Sequence, residues 1–507
     1  MEDKRNASDP QKSSYRDILH STALIGASSI VSMFVSLIRM KAFAVLLGPG
    51  GVGLVALFSA LADVVVAIAG LGVSSSGVRQ IAQAEGTGDR TRVARTMDVV
   101  ARTSLVLGFA GGLGLAVLAI PASVLTFGSP EYAMSVAVLG TVVLLRIVTG
   151  GETALLQGTR RILDLAKLNI ISAIAGVAVS VPVVFVWREA AVVPALVLMA
   201  LVTWIAARWY SRRAVGLGAA GPIPTSKHDT RDLLRLGAAF MISGFLTLGA
   251  AYLVRIIILQ GEGVAAAGLY QAAWALSGLF VGVVLQAMGT DFYPRLTAAA
   301  DDNATVTRLV GEQIQVSLLI AGPGVVGTMA LSHIAVNAFY SVEFSAAAET
   351  LRWLCLGMMF RVVSWPMGYI IVAKGWQKTF VALEALAAIL HVGFAALLVP
   401  VLGINGSGIA FTLLYVSHGL IVYLVVHRNC GFRLRPEHAT MIALFGVACG
   451  ASLIAFAVLS IWWATAVGVL ITCITGIVCL YQLMSVAPEL LASPKLPSWL
   501  RSRIAKA

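Results

Sequence analysis

Charge is scarce in this chain. Asp, Glu, Lys and Arg make up 12% of its 507 residues, against roughly a quarter in soluble domains. Hydrophobic residues take 59% and the mean hydropathy is +0.90. A soluble fold is thereby excluded, because too little polar surface remains to dissolve the buried helices. Cysteine is scarce as well. The five cysteines have no CxxC or metal-type spacing, and Cys355, Cys449, Cys473 and Cys479 lie in apolar runs. They read as small packed side chains, not as a disulfide framework or a metal site.

Other absences narrow the function. No P-loop, strand-to-helix GxGxxG, HExxH or nucleophile elbow is present, so nucleotide hydrolysis and the familiar hydrolases are not expected. No loop is long or acidic enough for a glycosyltransferase or polymerase domain, so the chain is not expected to be an enzyme or to need a cofactor. A secretory leader is not expected either, since residues 1–17 are polar and the first apolar run is too long for an h-region. The net charge of +12 falls on alternate loops, which excludes nucleic acid as the expected partner.

What the chain has is apolar length. Runs of 18 or more residues recur along it, each long enough to cross ~30 Å of hydrocarbon. They predict an all-α polytopic membrane protein of about fourteen spans: two parallel six-helix lobes followed by two extra helices. The expected division is an N-terminal segment (1–17), an N-lobe (18–210), an inter-lobe loop (211–235), a C-lobe (236–428), spans 13 and 14 (439–483) and a tail (484–507). Of 36 basic residues, 29 fall on one side of this scheme, which puts both termini in the cytoplasm. A monomer in contact with membrane lipids is expected.

Displacing the chain against itself by about 216 residues lays Arg39 near Arg255, Arg79 on Arg295, Arg146 on Arg361 and Gly158 near Gly375. The copies are six spans apart, an even number, so they share an orientation and predict a symmetry axis along the membrane normal.

Five basic residues lie inside apolar segments: Arg39, Lys41, Arg146, Arg255 and Arg361. Intramembrane charges usually face a bundle interior or an aqueous cavity, and guanidinium suits phosphate and carboxylate oxygens. A cavity that receives an anion is one reading. The other has the arginines paired with Asp63, Glu152 or Glu384 to hold helices together. Asp63 and Glu152 are also candidates for coupling to an H⁺ or Na⁺ gradient.

The segment KAFAVLLGPGGVGLVALFSALADVVVAIAGLGVSSSGVRQIAQ (41–83) resembles the first two helices of Wzx-type flippases, the polysaccharide-transport branch of the MOP superfamily. DFYPRLTAA (291–299) and VPVLGINGSGIAFTLLYV (399–416) are similar to motifs of the second lobe in that family. The resemblance covers roughly residues 18–428. It implies an inner-membrane carrier that moves an undecaprenyl-diphosphate-linked glycan to the periplasmic leaflet by alternating access, for surface polysaccharide biosynthesis. It places Arg39, Arg79, Arg146, Asp291, Arg295 and Arg361 in family-like segments. A polysaccharide polymerase and chain-length proteins are prospective partners. A cation-coupled drug antiporter of the multidrug-extrusion branch and a peptidoglycan-precursor flippase are the alternatives.

Overall fold

The computed structural model describes residues 10–88, 90–215 and 227–486. Among these, every regular element is helical. In chain order the α-helices are α1 (Pro10–Ala69), α2 (Val73–Gly86), α3 (Arg90–Val117), α4 (Ala119–Phe127), α5 (Ala133–Gly158), α6 (Ile162–Trp187) and α7 (Val192–Val215). The series continues with α8 (Lys227–Ser277), α9 (Leu279–Ala287), α10 (Tyr293–Ala298), α11 (Asn303–Ala330) and α12 (Ser332–Phe339). It ends with α13 (Ala347–Ala373), α14 (Gln377–Leu402), α15 (Ile404–Cys430), α16 (Pro436–Val458) and α17 (Ile461–Val486).

Among the described residues, eleven segments are long and apolar enough to cross a membrane. Three of them hold two passes each. Val31–Ala69 is broken at Gly48, Ile162–Ala214 at the short turn 188–191, and Met241–Ser277 at Gly263. With those breaks counted, fourteen passes follow. At 1.5 Å per residue an unbroken 39-residue helix would overshoot a ~30 Å hydrocarbon layer almost twofold.

The chain groups into two compact units, Met1–Gly268 with Phe339–Ser341, and Leu269–Ala338 with Val342–Ala507. In the first, α1 packs on α6, α3 on α5, and α7 on both α5 and α6. Its buried apolar side chains include Val73, Ile81, Val99, Val100 and Leu233 in one cluster, and Leu156, Leu168, Ala207 and Tyr210 in another. In the second unit, α13 packs on α15 and α11, and α11 carries the two last helices. That docking needs small residues. A Cβ on Gly311 would strike the His438 ring, and one on Gly322 the Phe445 ring. Asp302 caps α11 by accepting from the Ala304 amide (2.9 Å) and the Thr305 hydroxyl (2.6 Å). The Thr305 bond, followed by the backbone bonds, holds its carboxyl below the usual range.

The internal repeat is visible in the backbone, and it corrects the register. Gly48 (φ 64°, ψ −172°) and Gly263 (φ 86°, ψ 177°) break α1 and α8 in the same way, 215 residues apart. The turn Leu155–Ile162, with Arg160 at φ 54°, recurs bond for bond at Ile370–Gln377 around Gly375 at φ 70°. Arg188 (φ 50°, ψ −128°) recurs as Gly403 (φ 59°, ψ −149°). All three pairs, and Arg146 with Arg361, share the 215 spacing.

A Cβ on Gly53 would strike the Val264 carbonyl oxygen, and one on Gly268 the Pro49 carbonyl oxygen. These two contacts are also exchanged by a shift of 215. α1 and α8 therefore cross at a self-complementary, locally two-fold contact. The partner of Gly375 is Arg160, not Gly158. Arg39 stands nine residues before its kink glycine and Arg255 eight. One residue turns a helix by about 100°, so these two arginines do not occupy the same helix face.

Candidate functional site

The first unit holds four of the five intramembrane cations. Arg146, on α5, is paired with Asp63 on α1 (2.7 Å), and their side chains are 40% and 36% exposed. A pair of this kind is geometrically sound yet open to competing ions and screening. A second pair lies along α5. Glu152, almost wholly buried, receives Arg208 of α7 at 2.6 Å and the Ser211 hydroxyl. The sequence singles out neither Ser211 nor Arg208 as a site residue. The signal for Arg208 was its place at the end of an apolar run, on the helix that packs on α5.

The remaining cations of this unit are held less by charge than by shape. Arg39 extends from α1 toward α6 and α7, with Nη1 3.7 Å from the Met199 sulfur. Gly176 leaves room beside it, since a Cβ there would stand 3.9 Å from the guanidinium. Lys41 donates to the Tyr340 carbonyl. Tyr340 is fully buried, and that burial pushes its phenol above the ordinary range. Arg255 Nη1 donates to the Ala251 carbonyl one turn back (2.9 Å). Arg188 donates to the Leu46 carbonyl (2.8 Å), next to the Gly48–Pro49 break where Pro49 has no N–H to continue the ladder. Arg79 and Arg295 are exposed, on α2 and α10. The Asp291 side chain lies outside the described residues.

The second unit holds Arg361, on α13, in different company. Its guanidinium carbon is 4.6 Å from the Trp365 ring centroid and 5.6 Å from that of Tyr415 on α15. Nη1 lies 4.0 Å from the Met358 sulfur, a marginal contact. Among the described residues no carboxylate pairs with it. Its Nε is buried without an acceptor. A charged donor left in that state is costly, and an incoming anion would relieve it. No group of three His, Cys, Asp or Glu side chains among the described residues is placed to hold a metal ion.

Comparison with known proteins fits this geometry. Residues 18–299 match the family model described as polysaccharide biosynthesis protein. The lipid III flippases of Escherichia coli (strain K12) and Shigella flexneri are each 25% identical over 405 residues, covering 77% of this chain and 94% of theirs. Among solved structures, the lipid II flippase MurJ in an inward closed conformation has a TM-score of 0.68 at 13% identity, covering 91% of this chain and 99% of that one. An inward-facing multidrug resistance MATE transporter of the MOP superfamily has a TM-score of 0.66 at 16% identity, covering 82% and 95%. At such identities the likeness shows the fold alone. The chain belongs to the polysaccharide biosynthesis protein family, as a multi-pass membrane protein whose fold is similar to those of these two transporters.

Proposed function

We propose that the protein carries a glycan linked to undecaprenyl diphosphate from the cytoplasmic to the periplasmic leaflet of a bacterial inner membrane, by alternating access. The observation that carries this reading is Arg361, a membrane-embedded cation with a buried donor and no carboxylate partner among the described residues. Guanidinium offers a diphosphate two parallel N–H bonds, while the lipid tail can remain in the bilayer. Arg146 is the second anion contact in this scheme, once Asp63 yields it. Arg39, Lys41 and Arg255 are further cations of the first unit in this scheme. Both termini are cytoplasmic in this reading, and Asp63 is the better placed of the two acids for exchange with an H⁺ or Na⁺ gradient, since Glu152 is buried in its own pair.

The alternatives have less support. A drug antiporter selecting cations needs an unneutralised acid, whereas Asp63 and Glu152 are taken up by arginines and Glu384 has a partner as well. The peptidoglycan-precursor reading rests on a likeness of fold. Deleting the gene tests the proposal. Labelled undecaprenyl-linked glycan should accumulate on the cytoplasmic face, with rescue by the wild-type gene and not by Arg361→Ala. Drug sensitivity without glycan accumulation would overturn it.

A further inference from the structure

The repeat allows each copy's arginine to be compared position by position, and the two copies have diverged around it. In the first, Arg146 is neutralised by Asp63 at 2.7 Å. A shift of 215 carries Asp63 onto Gly278, which has no side chain to offer. The same shift carries Trp365 back onto Gly150 and Tyr415 back onto Ala200. The second copy has therefore exchanged a carboxylate for two aromatic rings. One arginine is internally satisfied, and the other keeps its full charge with an unsatisfied Nε.

Aromatic rings beside a cation in a membrane helix have a bland explanation: Arg361 and Trp365 are one turn apart, and cation–π stacking alone stabilises such a pair. It does not account for Tyr415, which comes from another helix. Nor does it satisfy Nε, because a ring face is a poor substitute for an oxygen acceptor in the guanidinium plane. Trp365 and Tyr415 are both half-buried. Tyr415 is held edge-on by Phe411 at 4.9 Å and His418 at 6.3 Å.

We propose that Arg361, Trp365 and Tyr415 form a subsite for a pyranose ring that carries an anionic group. The guanidinium of Arg361 takes the anion, and the rings take the apolar C–H face of the sugar. This deepens the reading of Arg361 as an anion contact and rests on it. It adds that the second copy recognises sugar together with charge, whereas the first copy offers charge alone. The anion is either an acid on the sugar or a phosphate at its anomeric carbon, and the probes below separate the two.

Binding to the full purified chain in nanodiscs should be measured with four probes: methyl glucuronide, glucose 1-phosphate, methyl glucoside and inorganic diphosphate. At least one of the two anionic sugars should bind at least tenfold tighter than methyl glucoside. Which of them binds names the source of the anion. Trp365→Leu should weaken that anionic sugar at least fivefold and change diphosphate less than twofold. Tyr415→Leu provides an independent second variant with the same selectivity, and Trp365→Phe should retain part of the sugar binding. Equal loss of sugar and diphosphate in Trp365→Leu and Tyr415→Leu, or no loss in either, would overturn the sugar subsite while leaving the anion reading intact. Failure of the wild-type chain to bind either anionic sugar would overturn it as well. Unchanged diphosphate binding in Arg361→Gln would instead remove the anion reading beneath it.

Discussion

Arg146 and Arg361 occupy the same position in two copies of one six-helix pattern, yet their surroundings differ in kind. The first stands 2.7 Å from a carboxylate; the second stands over rings, with a buried N–H lacking an acceptor. Duplication supplied two equivalent cations, and divergence at Asp63/Gly278, Gly150/Trp365 and Ala200/Tyr415 gave them separate tasks. A neutral pair can hold helices together and yield to competition. An unpaired cation in hydrocarbon persists only where something else gains from it.

The largest expected effect is at Arg361. Removing a charged hydrogen bond to substrate costs about 1.5–3 kcal/mol, so Arg361→Ala should cut transport by roughly ten- to a hundredfold in a glycan-translocation assay. Arg146→Ala should cost distinctly less, and equal losses would erase the asymmetry. Next comes Glu152→Ala, which strands Arg208 and Ser211 beside a buried position. It should destabilise the first unit by about 1–3 kcal/mol, read as a lower thermal midpoint, while diphosphate affinity stays unchanged.

Gly278→Asp places a carboxylate where the first copy has Asp63. A Cβ there meets nothing nearer than the Trp274 carbonyl oxygen at 3.6 Å, an ordinary van der Waals contact. Diphosphate affinity should fall several-fold, and an unchanged affinity would mean that Arg361 is not the anion contact. The smallest effect is at Arg160, which adopts φ 54° where the second copy uses Gly375. Arg160→Gly removes a left-handed penalty of about 1 kcal/mol, partly offset by the entropy that glycine gives the unfolded chain. A slight rise in thermal midpoint is expected.

Much of this was legible in the sequence. Apolar length gave the helices and fourteen passes, and GPGGVG marked the break at Gly48. Arg146 was singled out as an intramembrane cation, with Asp63 among the acids weighed as its partner. The register was less legible, for a physical reason. The arginines invite alignment by charge at 216, but helix phase is set by backbone breaks, and those repeat at 215. Two of the breaks are hidden because Arg160 and Arg188 adopt conformations that the other copy gives to glycine. Ring neighbours such as Tyr415 come from helices distant in sequence, and no periodicity reveals which ring meets which cation. The seat of α16 and α17 was likewise concealed in ordinary-looking glycines of α11.

The central claim is that the second copy's arginine is the main anion contact and the first copy's, held by Asp63, is a weaker one. Diphosphate affinity, measured on Arg361→Gln and on the charge-neutral double variant Asp63→Asn/Arg146→Gln, tests it most directly. The account predicts at least a tenfold loss for Arg361→Gln and less than threefold for the double variant. Equal losses, or a larger loss in the double variant, would contradict it.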